Sequence, residues 1–362
     1  MFDTESIEIT KEDIMKVKTA VLREAGKAEV IDRELPELSG HEVLVKVAAD
    51  NICTSEYGAF NGSRNRPTPL VFGHEWAGTV VEVGSEVSSV EVGDYVASGY
   101  YYDPYTIPSR EGRTSECTHL MSADHPNPDG FYGNAGCAEY VVSSEVACYK
   151  INKDIDPSVA ALLEPLGTCC AGFRRFGCDF GDTVVVIGAG TMGILNALVA
   201  KAHGCRVLIT EMMPKKLEAA RRLGLEAIDV SACDPVEKVK ELTDGKGADG
   251  VIVAVAAASA YAQAIDMLKE KRGRLLIFAA GYPAPKWELD PNTVHYRRMV
   301  IVGTYGADYV DFKEAANLIN MGAANFSELV EEKIPLAQIQ HAFERACEPG
   351  MFRISVICQE EN

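Results

Sequence analysis

No Cys-x-x-Cys pair occurs in this sequence, although eleven cysteines are spread along its 362 residues. That absence, together with the odd count and the lack of a secretory signal, argues against a disulfide framework and points to a reducing compartment, the cytoplasm. There is also no uninterrupted apolar run of the length, about 18 residues, that a membrane span needs. Positive charge is scarce: 35 Lys and Arg stand against 53 Asp and Glu, a net charge of −18. Such a surface repels nucleic acid and anionic membranes and favours solubility. The opening stretch, MFDTESIEITKEDIMK, has neither the basic start nor the apolar core of a signal peptide. It reads as a short, partly mobile extension. Internal repeats and low-complexity tracts are missing too.

What is present is an ordinary globular composition, 47% hydrophobic and 24% charged, in a chain long enough for two cores. The first third is made of short, turn-rich strand patterns at 17–22, 28–31 and 42–47, punctuated by Pro36 and Gly40. They predict a partly open antiparallel barrel. An apolar run, Leu70-Val71-Phe72, then delivers Gly73-His74-Glu75 before a β-branched strand resumes at 76–83. Imidazole and carboxylate are good zinc ligands, and a thiolate waits upstream at Cys53. A further strand opens at 93–97, after which regularity is lost from 98 to 136. A structureless segment of that length reads as a functional or excursion loop. It holds Cys117, His119 and His125, whose spacing matches no common zinc module, and Tyr100, Tyr101, Tyr102 and Tyr105. A strand returns at 137–142, followed from Pro157 by an apolar helical stretch carrying Glu164-Pro165-Leu166. Proline after Glu164 disfavours regular helix there, so that carboxylate is expected at a break facing a cleft.

The second half changes character. A continuous apolar run at 183–187 predicts a strand buried on both faces. It leads into Gly188-Ala189-Gly190-Thr191-Met192-Gly193 and a helix at 194–203. Strands at 206–210, 250–255, 274–278 and 299–303 alternate with helices at 214–223 and 260–268, the pattern of a doubly wound parallel α/β domain. In the glycine-rich turn, Gly188 makes the tight turn, Gly190 admits a pyrophosphate and Gly193 permits close helix–strand packing. Thr191 and Met192 stand in the turn just ahead of that helix, whose free N–H groups suit phosphates. Glu211, 18 positions beyond Gly193, can accept hydrogen bonds from the adenosine ribose and repel a 2′-phosphate, which favours NAD over NADP; Lys215 and Lys216 temper that preference. The tail, helices at 313–321 and 339–346 and a strand at 354–357, is expected to pack back on the first domain.

These residues in this order resemble the zinc-dependent medium-chain (alcohol) dehydrogenases, closest in motif form to sorbitol and other polyol dehydrogenases. The resemblance runs from about residue 16 to 357. It is carried by Cys53 with Ser55, GHEWAGTVVEVG with the following VGDYV, CAEYVV, EPL, and VVVIGAGTMG with Glu211. It implies a GroES-like catalytic domain at 1–165 and 312–362, split around a Rossmann domain at 166–311. It also implies one catalytic zinc held by Cys53, His74 and Glu164, with Glu75 exchanging in or standing behind. Ser55 matches the hydroxyl that starts a proton relay. Two departures stand out. The lobe loop has only Cys117 where the family often carries four zinc-binding cysteines, so a structural zinc is not expected. Gly58 stands where a relay histidine is common, leaving water or Tyr57 as the proton exit. The implied reaction is hydride transfer between NAD and a secondary hydroxyl or ketone of a polyol, cyclitol or sugar-derived substrate. Ser55, Glu56, Tyr57, Glu164 and the lobe tyrosines are candidates to orient it. A phosphorylated sugar is the rival substrate, because Arg64 and Arg66 could pair with a phosphate, although solvated loop arginines are the plainer reading. The retained ligands and Ser55 speak against two rival functions, a metal-free enone or quinone reductase and a non-catalytic NAD-binding structural protein. An apolar edge strand at 299–303 predicts a homo-oligomer, dimer or tetramer.

Overall fold

The computed structural model describes residues 16–117 and 126–359; the N-terminal extension, His119 and His125 lie outside them. The second half is a six-stranded parallel sheet. Its spatial order is Glu226–Asp229, Arg206–Glu211, Thr183–Ile187, Gly250–Val253, Arg274–Ile277, Val300–Gly303. Thr183–Ile187 lies at its centre, and Val184, Val185 and Val186 are fully buried, as a strand covered on both faces requires. The helix after the glycine-rich turn, Thr191–Ala202, starts three residues earlier than the apolar pattern alone suggests. The strand Glu226–Asp229 and the helix Pro235–Leu242 were not expected from the sequence.

The first half and the tail form a second unit. One sheet has the order Val330–Pro335, Arg353–Ile357, Glu42–Asn51, Trp76–Val83, Tyr95–Ser98, Cys148–Lys150, with Tyr140–Ser144 also paired to Glu42–Asn51. A smaller sheet joins Lys27–Glu34, Lys16–Glu24, Leu70–Val71 and Tyr132–Gly133. Residues of both share one core, in which Leu22, Val45, Phe72 and Ile354 meet Phe343 of the helix Ile339–Ala346. This is the partly open barrel, and the tail packs back on it through antiparallel pairing of Ser355 with Asn51.

The helix Leu163–Phe176 links the halves. Leu166, Phe173 and Phe176 enter a core shared with Ile194 and Leu195 of the dinucleotide-type half and Phe312 of the helix Tyr309–Asn320. Each such side chain contributes roughly 1.5–3 kcal/mol by leaving water. Glu164 is helical, not at a break: the interruption lies just before it, between Pro157–Ala160 and Leu163. Pro165 is tolerated because N–H groups in a first turn have no intrahelical acceptor.

The excursion loop is not structureless. It contains the short helix Ile107–Arg110 and the 3₁₀ turn Thr114–Cys117. Its Ser115 N–H donates to Asp308 at 2.8 Å, and Tyr309 N–H donates to Thr114 Oγ1 at 2.7 Å. The Cys117 thiol is engaged by the hydroxyls of Thr106 and Ser109 at 2.9 and 3.1 Å.

Candidate metal and cofactor site

Cys53 follows the end of Glu42–Asn51 and precedes the helix Thr54–Phe60; His74 and Glu75 sit between Leu70–Val71 and Trp76–Val83. The connection at Gly73 requires glycine. Its φ is +103°, and a Cβ there would stand 1.9 Å from the backbone nitrogen of Cys137. The backbone of His74 is then pinned from behind, its carbonyl accepting from Ser98 Oγ at 2.7 Å.

Ligand atoms of Cys53, His74 and Glu75 all lie within 4.8 Å of one another, the only such group among the described residues. Glu56 organises them. Its Oε1 accepts from Gly73 N–H and lies 2.9 Å from His74 Nδ1, while Oε2 accepts from Cys53 N–H at 3.0 Å. With Nδ1 engaged, Nε2 is the nitrogen left for a metal, the arrangement in which a carboxylate fixes the tautomer and aim of a ligating histidine. Glu75 is fully buried and gripped on both oxygens by Arg353: Nε donates to Oε2 at 2.8 Å and Nη2 to Oε1 at 2.7 Å. Glu164 lines the same cavity and accepts a hydrogen bond from the Tyr100 hydroxyl.

The electrostatics suit a cation. Burial by itself raises the Cys53 thiol, but the charge and hydrogen bond of His74, aided by Arg353, hold it at about 7. Burial works against a charged His74; Glu56 and Cys53 nevertheless push it well above its ordinary value. Burial, with Cys53 and Glu164 nearby, raises Glu75 despite Arg353. One soft thiolate, one imidazole and the Glu75 carboxylate, close together, make a donor set that fits a zinc ion; Glu164, expected from the sequence as the third ligand, stands outside that close group and borders the same cavity.

Cys53, Ser55, His74, Glu75 and Glu164 all border one cavity of about 1030 Å³, as do Glu56, Tyr100, Tyr101 and Arg353. On the dinucleotide side, a Cβ on Gly193 would stand 1.8 Å from the carbonyl oxygen of Gly188, so helix and strand touch there because glycine is present. Next to Gly190 there is open space, with Lys216 Nζ 3.9 Å from the position a Cβ would take. The carboxylate of Glu211 folds inward: it accepts from Ala189 N–H at 3.0 Å, Met212 N–H at 2.7 Å and Met213 N–H at 3.0 Å. Lys215 is tied to Glu331 at 2.6 Å.

The sequence reading missed two residues of this constellation. Arg353 had no local signal. Glu56 was named only as a substrate contact, although its place three residues after Cys53, returning to that residue's N–H, is the pattern of a helix capping box.

A metal-ligand cluster in one lobe, a glycine-rich turn and helix in the other, and a cavity reaching from the cluster to Met192 define a two-lobed dehydrogenase. The comparisons agree. Residues 39–153 match the alcohol dehydrogenase GroES-like domain and residues 191–321 match the zinc-binding dehydrogenase family. The chain is 30% identical to a D-arabitol-phosphate dehydrogenase of Enterococcus avium, over 90% of this chain and 92% of that protein. It is 30% identical to a sorbitol dehydrogenase of Halalkalibacterium halodurans (91% and 95%) and 32% identical to an L-threonine 3-dehydrogenase of Bacillus subtilis (86% and 89%). A Sinorhizobium meliloti 1021 structure described as a zinc-binding dehydrogenase bound to NADP superposes with a TM-score of 0.84 at 26% identity, covering 94% of this chain and 99% of that one. The chain belongs to the zinc-binding alcohol dehydrogenase family. No described helix is long and apolar enough to cross a membrane.

Proposed function

We propose that this enzyme oxidises a secondary hydroxyl of a polyhydroxylated alcohol, a polyol, cyclitol or sugar derivative, by hydride transfer to NAD, at a single zinc. The observation that carries the reading is the convergence of Cys53, His74 and Glu75 on the wall of a cavity that also reaches Ser55, Glu164 and the dinucleotide-side Met192. We divide the chain into a catalytic domain, 1–165 with 312–362, and a dinucleotide domain, 166–311.

Cys53 and His74 serve as constant metal ligands, and Glu56 holds His74 in register. We assign the third place to Glu164: a carboxylate already paired on both oxygens, as Glu75 is with Arg353, donates weakly. Glu75 then stands behind the metal. Zinc held there would polarise the alcohol oxygen and lower its pKa into the neutral range. The nicotinamide would accept the hydride. Ser55 offers a hydroxyl on the cavity wall that would accept the alcohol proton while passing its own on to water. Orientation of several hydroxyls falls to Glu164, Tyr100 and Tyr101, because apolar contacts discriminate poorly between hydroxylated isomers. On the cofactor side, the first-turn N–H groups of Thr191, Met192 and Gly193 would hold the phosphates. The negative charge of Glu211 beside the turn supports NAD; the inward fold of its carboxylate and the nearness of Lys216 favour the rival, NADP.

The test combines metal analysis with steady-state kinetics on polyols, L-threonine and simple primary alcohols, each with NAD and NADP. One zinc per chain, highest kcat/KM on a secondary hydroxyl of a polyol and preference for NAD are expected. Faster turnover of L-threonine or of primary aliphatic alcohols refutes the substrate reading. A higher kcat/KM with NADP refutes the cofactor reading. Glu164→Ala should lose the metal and Glu75→Gln retain it; the reverse result reverses the ligand assignment.

A further inference from the structure

Arg64 and Arg66 are not solvated loop cations. Both are half-buried and border the cavity that contains Cys53 and His74. Arg64 is set in place by three contacts. Its N–H donates to the Gly58 carbonyl at 2.9 Å. Its aliphatic stem lies over Gly58, where a Cβ would meet Cγ and Cδ at 3.1 Å. Its guanidinium rests 4.9 Å from the centre of the Tyr282 ring, which comes from the other lobe. Among the described residues neither arginine has a carboxylate partner, whereas Arg113, Arg206 and Arg345 each do. Two guanidinium groups without a carboxylate partner thus border a cavity whose wall also carries Glu56, Glu75 and Glu164, and they are the groups on it with charge left to offer an anion. A dianion reaching both would gain Coulomb energy from each.

We propose that Arg64 and Arg66 receive the phosphate of a phosphorylated polyol, so that the enzyme's substrate is a polyol phosphate whose free end reaches the metal cluster. This rests on the polyol reading above. Guanidinium forks match phosphate oxygens in pairs, which a point charge cannot do. The cavity is large enough for a sugar phosphate, and its wall includes Ser55, His74 and Glu164; of the glycine-rich turn it touches Met192 but not Gly188, Gly190 or Gly193. The arginines therefore serve the alcohol end of the site, not the glycine-rich turn that faces the cofactor's pyrophosphate.

The experiment compares kcat/KM for matched pentitols with and without a terminal phosphate, in the wild type and in an Arg64→Gln, Arg66→Gln variant. The wild type should favour the phosphorylated compound roughly 10- to 100-fold, and in the variant the ratio should fall to near one. A wild-type ratio near one overturns the proposal. So does a variant in which the ratio persists while the cofactor KM rises, because the pair would then belong to the cofactor. Inorganic phosphate supplies a readout that needs no variant: inhibition of the wild type should be competitive against the alcohol, and competition against the cofactor instead overturns the proposal. If L-threonine or a simple alcohol proves to be the substrate, the polyol reading falls. Phosphate competition against that alcohol still upholds the anion site, and its absence overturns it.

Discussion

Replacing Glu56 by glutamine isolates the carboxylate that aims the candidate metal site without emptying its space. In the native arrangement one carboxylate takes three contacts, Gly73 N–H and His74 Nδ1 at 2.9 Å on Oε1 and Cys53 N–H at 3.0 Å on Oε2. A glutamine can present its oxygen to only one side. Turned toward His74 and Gly73, it sets its NH₂ against the N–H of Cys53, donor facing donor. Turned the other way, it does the same to Gly73. At least one charge-assisted hydrogen bond is lost, worth about 1.5–3 kcal/mol, and with it the negative charge that favours a cation on His74. Zinc affinity should fall roughly 10- to 100-fold, the scale seen when a histidine ligand loses its outer partner. The assay is competition with a chromophoric chelator at buffered pH, with thermal denaturation of the metal-free proteins as the control for folding. A Glu56→Gln protein that binds zinc as tightly as wild type, with an unchanged melting temperature, would refute the claim that Glu56 orients His74.

Three further expectations follow from particular contacts. Arg353→Met strands a buried carboxylate and should cost about 3–5 kcal/mol, read by urea denaturation; Glu75→Gln, Arg353→Met together should recover part of that loss, and a double variant no better than the single refutes the pairing. Glu145 is held at about 2: burial raises it, but the N–H groups of Ser88 and Ser89, the Ser89 hydroxyl and His41 prevail. Because its folded pKa lies below its ordinary value of 4.5, its stabilisation is complete above 4.5 and is lost as pH falls toward about 2. The melting-temperature gap between wild type and Glu145→Gln should therefore narrow over that window, and a constant gap refutes it. Finally, Val300–Gly303 closes the parallel sheet with one unpaired edge and with Val300 exposed. We expect light scattering to report a dimer or tetramer that Val300→Lys weakens, and a wild-type monomer at micromolar concentration refutes the edge-pairing idea.

Local chemistry was legible in the sequence; chemistry assembled across the chain was not. The run from Thr183 through Gly193 declares itself because strand, turn and helix are contiguous and each glycine has its own steric reason. Cys53 and His74 stand out, among eleven cysteines and seven histidines, because their neighbours are patterned. Arg353 is invisible at that level: it is one arginine beside an apolar strand, and its meaning comes from Glu75, 278 residues earlier. Glu226–Asp229 escaped notice because a four-residue edge strand with only Ile228 fully buried has too little periodicity to register. The helix boundary before Glu164 was placed one step too far along, since a proline in a first turn disrupts nothing.

That 278-residue separation between Glu75 and Arg353 also sets an order of events during synthesis. A nascent chain emerges with the thiol, the imidazole and Glu75 early, and with the cation that neutralises Glu75 only much later. Until Arg353–Ile357 docks beside Glu42–Asn51, the first lobe carries a carboxylate that its own interior cannot accommodate. The finished candidate metal pocket is thus a late product, complete with its Arg353 contact only in chains translated past that residue. A chain that ends before Arg353 would leave Glu75 without the guanidinium that pairs with both its oxygens.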